Sequence, residues 1–313
     1  MHLCTDTHFA KLWGGKYMKY MSEQLRNEYK RYCDMYADLD DLNAPLMNIS
    51  DVLKAYFILV DYFSDPTADA VAEKMLVGIR DMNLMISALG RQNVSFAGKV
   101  KYHQPLDICA TLFFGLVKNH AFSDGNKRTA LLTLLYQLDG YGYYPCVSQK
   151  NFEKLVVAVA SNQLNTAYEK VWKHVPQKYR EDQSDQSVHV ISSLLKKMTK
   201  RKDNAFHIDI PAIDFINAID RIEGCSCEVD GAKIKMHREF KRKGIFARAR
   251  NKSYSIPYRG DTRPIKAGTA REVLDQLELY DQYPNYASFI KGSDPRYMLI
   301  QQFEAPLRRL KDK

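Results

Sequence analysis

Glycine and proline are scarce in this chain of 313 residues, at 15 and 11, which excludes collagen-like repeats and the Pro/Gly-rich compositions that stay unfolded. Cysteine is scarcer still. The 6 Cys, at positions 4, 33, 109, 146, 225 and 227, are too scattered for a disulfide framework and are expected to be free thiols. Cys225-Ser226-Cys227 has no second close pair of Cys or His to complete a zinc set. Long apolar runs are missing as well: Ile108 to Val117, interrupted by Thr111 and Gly115, falls far short of the roughly 20 residues of a membrane span. The start, Met1-His2-Leu3-Cys4-Thr5-Asp6, lacks the basic head and apolar core of a secretory signal, so a cytoplasmic protein is expected. No internal repeat or low-complexity tract is evident.

What is present is the composition of a folded protein, 45% hydrophobic and 27% charged. Its length exceeds the roughly 250 residues at which single cores stop growing, so two domains are expected. Residues 176–187, Pro-Gln-Lys-Tyr-Arg-Glu-Asp-Gln-Ser-Asp-Gln-Ser, hold one aromatic and no aliphatic side chain and read as a linker between domains at 1–175 and 188–313. The formal charge of +9 is lopsided, because residues 176–313 carry 27 Lys and Arg against 19 Asp and Glu. Within them, 233–271 holds 13 cations against only Glu239 and Asp261. Such a stripe, interleaved with Phe240, Phe246, Tyr254 and Tyr258, suits either nucleic-acid phosphates or an acidic protein partner. Lys241, Arg242, Lys243, Arg248 and Arg250 are the candidate nucleic-acid contacts.

Helical spacing of apolar residues marks Met21–Ala37, Asp51–Phe63 with Asn48 and Ser50 as caps, Ala68–Leu89 and Asn151–Asn162. Leu106–Lys118 has hardly any polar face and is expected to be central. A second apolar helix runs from about Thr129 and stops at Gly140-Tyr-Gly142. Residues 1–175 therefore read as mainly α. Beyond the linker, one helix near Val188–Met198, short extended segments at Phe206–Ile210, Cys225–Val229, Lys233–Met236 and Tyr254–Pro257, and a helix Thr269–Leu279 suggest a smaller basic α+β domain.

Between the two apolar helices lies Asn119-His120-Ala121-Phe122-Ser123-Asp124-Gly125-Asn126-Lys127-Arg128-Thr129-Ala130. It concentrates a proton acceptor, a carboxylate, a glycine, an amide and two cations at a helix start, which suits a polyphosphate. Asp124 can hold Mg²⁺ against phosphates, and His120 can take a proton from an attacking hydroxyl. Taken singly, His120 reads as a cap, Asp124 as an N-cap, and Lys127 and Arg128 as a solvated helix start; their occurrence together favours chemistry.

The run His-x-Phe-x-Asp-Gly-Asn-Lys-Arg-Thr-Ala resembles the signature of the Fic/Doc family in its Doc (death-on-curing toxin) form. Ile79-Arg80-Asp81, Leu84, Ser87-Ala88-Leu89 and Arg91 extend the likeness upstream. The resemblance implies an all-helical core with the active site between two central helices, and a hairpin flap near Gly90–Val100. His120 would be the catalytic base, Asp124 the Mg²⁺ ligand, and Gly125, Asn126, Lys127 and Arg128 the phosphate-binding residues, with ATP and Mg²⁺ as the implied cofactors.

Two departures choose among activities. AMP-transferring members usually show Gly-Asn-Gly-Arg and a second Arg three residues on; here Lys127 replaces the second Gly and Leu131 that Arg. Doc-type members carry the Lys, and the resemblance implies a phosphotransferase that moves the γ-phosphate of ATP to a hydroxyl of a translation factor such as elongation factor Tu. AMP transfer to a protein hydroxyl is the alternative, and a non-catalytic nucleic-acid-binding regulator is another. The family's inhibitory Ser/Thr-x-x-x-Glu-Gly/Asn pattern is not met, since Ile219 precedes Glu223-Gly224; restraint is expected from a separate antitoxin or from the second domain. Tyr254 to Leu274 is similar to the closing segment of HicA-type toxins, implying an RNA-binding shape.

Overall fold

The computed structural model describes residues 21–39, 42, 46–64, 75–96, 98–201, 209–240, 250–279, 289 and 295–312. The chain forms two compact units, one of residues 21–203 and 294–313 and the other of residues 1–20 and 204–293.

The larger unit is helical. Helix α1 (Glu23–Met35) packs on α2 (Ile49–Phe63), with the Tyr29 and Tyr32 rings against Phe57. A capping box starts α2: the Asp51 amide donates to Asn48 Oδ1 at 2.8 Å and the Asn48 amide to Asp51 Oδ2 at 3.3 Å, satisfying donors that the first turn leaves open. Helix α3 (Met82–Gly90) is followed by a hairpin of β1 (Ser95–Phe96) and β2 (Lys99–Val100), where the resemblance places the flap. Next come α4 (Pro105–Asn119) and α5 (Asn126–Gly140), packed against each other. Proline at the first position of α4 costs nothing, since that amide has no intrahelical partner. Ile108, Leu112, Phe113, Leu116 and Val117 of α4 and Leu131, Leu132, Leu134, Leu135 and Leu138 of α5 are buried and form the centre of the core.

Gly115 lets α3 approach α4 closely: a Cβ there would lie 2.9 Å from the Ala88 Cβ. After α5, β3 (Tyr143–Pro145), α6 (Gln149–Ala160) and α7 (Gln183–Met198) lead to β4 (Thr199–Arg201), which pairs antiparallel with β3 in the register Tyr143 to Arg201. Two helices from the far end of the sequence, Pro295–Gln302 and Glu304–Arg309, complete the unit. The buried Arg296 donates to Asp51 Oδ1 at 2.6 Å and lies over the Tyr136 ring.

Two expectations are corrected. The segment expected as a linker, 176–187, holds a 3-10 turn at Gln177–Tyr179 and the start of α7, and α7 belongs to the larger unit instead of heading the second domain. Its apolar stripe, Val188, Val190, Ile191, Leu194, Leu195 and Met198, is buried, and its polar side is tied to the same unit: Ser192 Oγ donates to Asp107 Oδ1, and Lys101 and Tyr102 donate to Asp185. The helix expected over Ala68–Leu89 begins only at Met82. Residues 78–81 are drawn into backbone pairing with residues 121–123, through Ser123 N to Gly78 O at 2.9 Å and Arg80 N to Ala121 O at 2.8 Å; residues 68–74 lie outside the described residues.

The smaller unit has α+β character. Its described elements run helix Ala212–Asp220, strands Cys225–Asp230, Lys233–Phe240 and Arg250–Pro257, then helix Ala267–Gln276. The strands form one antiparallel sheet in sequence order, whose Ile234, Met236 and Ile256 are buried, as are Phe215, Ala218, Ile219, Val273 and Leu274 of the two helices. A short pair, Ile210–Pro211 with Pro264–Ile265, stands beside them in sequence. Residues 202–208 and 241–249, which include the expected Phe206–Ile210 segment in part and Lys241, Arg242, Lys243 and Arg248, lie outside the described residues.

No helix among the described residues is long and apolar enough to cross a membrane. Cys109, Cys146, Cys225 and Cys227 are free thiols. No group of three or more potential metal ligands occurs among the described residues.

Candidate active site

The site is the turn that joins α4 to α5. Helix α4 ends because His120 takes the left-handed conformation, φ 52° and ψ 51°, an uncommon state for a residue with a Cβ. The preceding Asn119 holds that exit, its Nδ2 donating to Leu84 O at 2.8 Å. His120 is left exposed, while Ala121 and Phe122 turn inward and are buried. Phe122 stacks on Tyr56 with ring centroids 4.2 Å apart. The Tyr56 hydroxyl in turn accepts from the Gly78 amide at 2.8 Å and faces the carbonyls of Leu76 and Gly78. Burial pushes the Tyr56 phenol up to about 12, so it stays neutral.

Asn126 clamps the turn. Its Oδ1 accepts from the Phe122 amide at 2.9 Å and its Nδ2 donates to the Phe122 carbonyl at 2.8 Å. Gly125, the N-cap of α5, has φ 82° and sits under Met75, whose Cε would be 2.1 Å from an added Cβ. Both the conformation and the space therefore call for glycine. As the N-cap, Gly125 brings no capping side chain to the first amides of α5, and such a helix start suits an anion.

A cavity of about 560 Å³ opens at this point, lined by Arg80, His120, Phe122, Ser123, Asn126, Lys127, Val157, Ala160, Ser161 and Asp312. Its size is that of a small-molecule pocket. His120, Asn126 and Lys127 thus meet in one cavity. Asp124 and Arg128 are placed elsewhere. Asp124 is half-buried beside the cavity, its Oδ1 accepting from the Gly125 amide at 2.6 Å and its Oδ2 from Leu76 N at 3.1 Å. Each oxygen keeps a lone pair, and Mg²⁺ commonly uses one or two carboxylates plus phosphate and water oxygens, so the residue fits such an ion.

Arg128 is buried, donates through Nε to Leu307 O at 2.9 Å, and lies over the Phe63 ring at 4.9 Å. In this structure it holds the 304–312 segment rather than lining the cavity. Leu131, at the position of the second Arg of AMP-transferring relatives, is fully buried in the core. In the smaller unit, Arg250 is paired with Glu278 and lies over the Phe240 ring at 4.9 Å.

Arg80 and Asp312 were not singled out as site residues from the sequence. Arg80 lies within the upstream part of the family likeness, which was the one available signal. Asp312 is 186 positions from Asn126, and nothing local to it points to the turn.

The fold and the turn define a helical domain in which the cation-bearing turn joining two buried helices opens onto a pocket. Residues 46–138 match the model of the Fic/DOC family. Toxin Doc of Mycolicibacterium smegmatis (strain ATCC 700084 / mc(2)155) is 38% identical over 64 residues, which cover 20% of this chain and 49% of that protein. The chain spans about half the length of the curated relative it matches. No solved structure matches the chain.

Proposed function

We propose that this chain is a Doc-like toxin whose catalytic unit transfers the γ-phosphate of ATP to a hydroxyl group of a protein, with a translation factor as the target class. One observation carries the reading: His120, held exposed in a left-handed turn, shares a cavity with the start of α5 and with Lys127. A base and a phosphate cradle are thereby brought within reach of one substrate.

The γ-phosphate sits against the first amides of α5 and the Lys127 ammonium. His120 accepts the proton of the target hydroxyl as its oxygen bonds to the γ-phosphorus. The bridging oxygen–phosphorus bond breaks and ADP leaves with the electron pair. Mg²⁺ on Asp124 would neutralise phosphate charge. Arg80 at the cavity edge supplies a second cation. Lys127 where AMP transferases have glycine, and Leu131 in the core instead of their second arginine, support phosphoryl over AMP transfer. By its likeness to a Doc toxin, the chain is further proposed to have a separate antitoxin. The basic smaller unit is proposed to bind nucleic acid through residues 233–271, the αβββα order of its described elements and its charge being the support. Intact-mass analysis of target proteins after incubation with MgATP tests the activity: the increment of one phosphoryl group supports it, and that of AMP replaces it with the alternative.

A further inference from the structure

Asp312 occupies the place where an anion belongs. Its Oδ2 accepts from the backbone amide of Asn126 at 2.7 Å and from Asn126 Nδ2 at 2.9 Å. Its Oδ1 lies 3.5 Å from the Lys127 ammonium, which also donates to the Lys311 carbonyl. The side chains of Lys127 and Asp312 are only 19% and 15% exposed, so solvent screens the pair little. The segment is further anchored by Arg128 to Leu307 O and by the Arg309 guanidinium, which grips both oxygens of Glu153 on α6 at 2.6 to 3.0 Å.

A plain structural cap accounts poorly for this arrangement. Helix caps come from neighbouring residues, whereas this carboxylate arrives from 186 positions away. It also fits imperfectly: Oδ1 is buried without a hydrogen bond, a state that costs free energy. A cradle built for a carboxylate would satisfy both oxygens. One built for a phosphate, with more oxygens and more charge, would leave a carboxylate partly unmatched.

We propose that Asp312 is an internal stand-in for phosphate: it restrains the catalytic unit by filling the cradle at the start of α5, and the phosphates of a nucleotide must displace the 304–312 segment to bind. The proposal rests on the reading of the cradle as a phosphate site. It places restraint within the same unit of this chain, by a residue outside any Ser/Thr-x-x-x-Glu-Gly/Asn pattern.

Calorimetric titration of the full chain with MgATP tests it, comparing the native protein with Asp312→Asn and Glu153→Gln. Asp312→Asn keeps the side chain's shape and removes the charge; Glu153→Gln loosens the segment without touching the cavity. Asp312→Asn should bind MgATP at least about 10-fold more tightly, because the competing occupant is lost. Glu153→Gln should tighten binding by a smaller factor. Unchanged or weaker affinity in Asp312→Asn overturns the proposal, as does absence of MgATP binding in all three proteins. Transfer assayed on the same samples separates the two claims. Tighter binding with no transfer leaves the restraint standing and removes the proposed activity, whereas transfer with unchanged affinity does the reverse.

Discussion

At the scale of single residues, the turn divides into side chains that face the cavity and side chains that hold the turn. His120 is exposed and contributes little to the core. His120→Ala is expected to lower transfer by about 10²–10⁴ and to leave the thermal midpoint and circular dichroism unchanged. A variant that transfers at the native rate would remove His120 from the chemistry. Asn126 is the opposite case. Replacing it with Ala leaves the buried Phe122 amide and carbonyl without their partners, so Asn126→Ala should lose about 1–3 kcal/mol in denaturant titration, and its loss of activity should follow its loss of structure. The contiguous run 120–128 was legible in the sequence because a loop between two apolar helices leaves few structural uses for so many polar groups. The division of labour within it was not. That Arg128 turns to Leu307 and that Asp312 reaches Asn126 depend on hydrogen bonds spanning 179 and 186 positions, which no local pattern encodes.

At the scale of elements, the buried helices announced themselves. Leu106–Lys118 and Thr129–Gly140 were expected from their apolar faces and appear as Pro105–Asn119 and Asn126–Gly140. The expected helix Ala68–Leu89 had suitable spacing too, but backbone pairing of 78–81 with 121–123 overrides periodicity there. In the smaller unit, the helix Ala212–Asp220 carries a carboxylate with a testable signature. Burial pushes the Asp214 carboxyl up from 3.8 to about 6, with Arg221 opposing. Because the folded state then holds the proton more tightly than the unfolded state, stability falls as pH rises from 3.8 to about 6 and stays lower above it. Asp214→Asn should abolish that slope and stabilise the unit at neutral pH by about 1–2 kcal/mol, a value reduced from the full shift because the group is partly exposed. Hydrogen exchange of residues 212–240 against pH is the measurement; a native slope that survives the substitution would assign it to another group.

At the scale of the whole molecule, the change in composition near residue 176 misplaced the boundary. An amphipathic helix such as α7 shows that it has a face to bury but not which core receives it, and the return of residues 294–313 to the first unit is invisible to any reading along the chain. The charge asymmetry was legible, and it carries a prediction. Gln at Lys241, Arg242, Lys243, Arg248 and Arg250 should weaken RNA binding evenly across sequences and flatten its salt dependence by up to about 0.7–0.9 for each phosphate no longer neutralised, with Arg250 contributing least because Glu278 already engages it. If the full chain binds no nucleic acid even at low ionic strength, the stripe becomes a docking face for an acidic protein.

The central claim is phosphoryl transfer from the turn between α4 and α5. It is tested most directly by incubating the full chain, native and Asp312→Asn, with a cell lysate and either γ-labelled or α-labelled ATP, with His120→Ala as the control. The account predicts protein-bound label from the γ-labelled nucleotide alone, more of it with Asp312→Asn, and none above background with His120→Ala. Label transferred from the α-position, or undiminished labelling by His120→Ala, would contradict it.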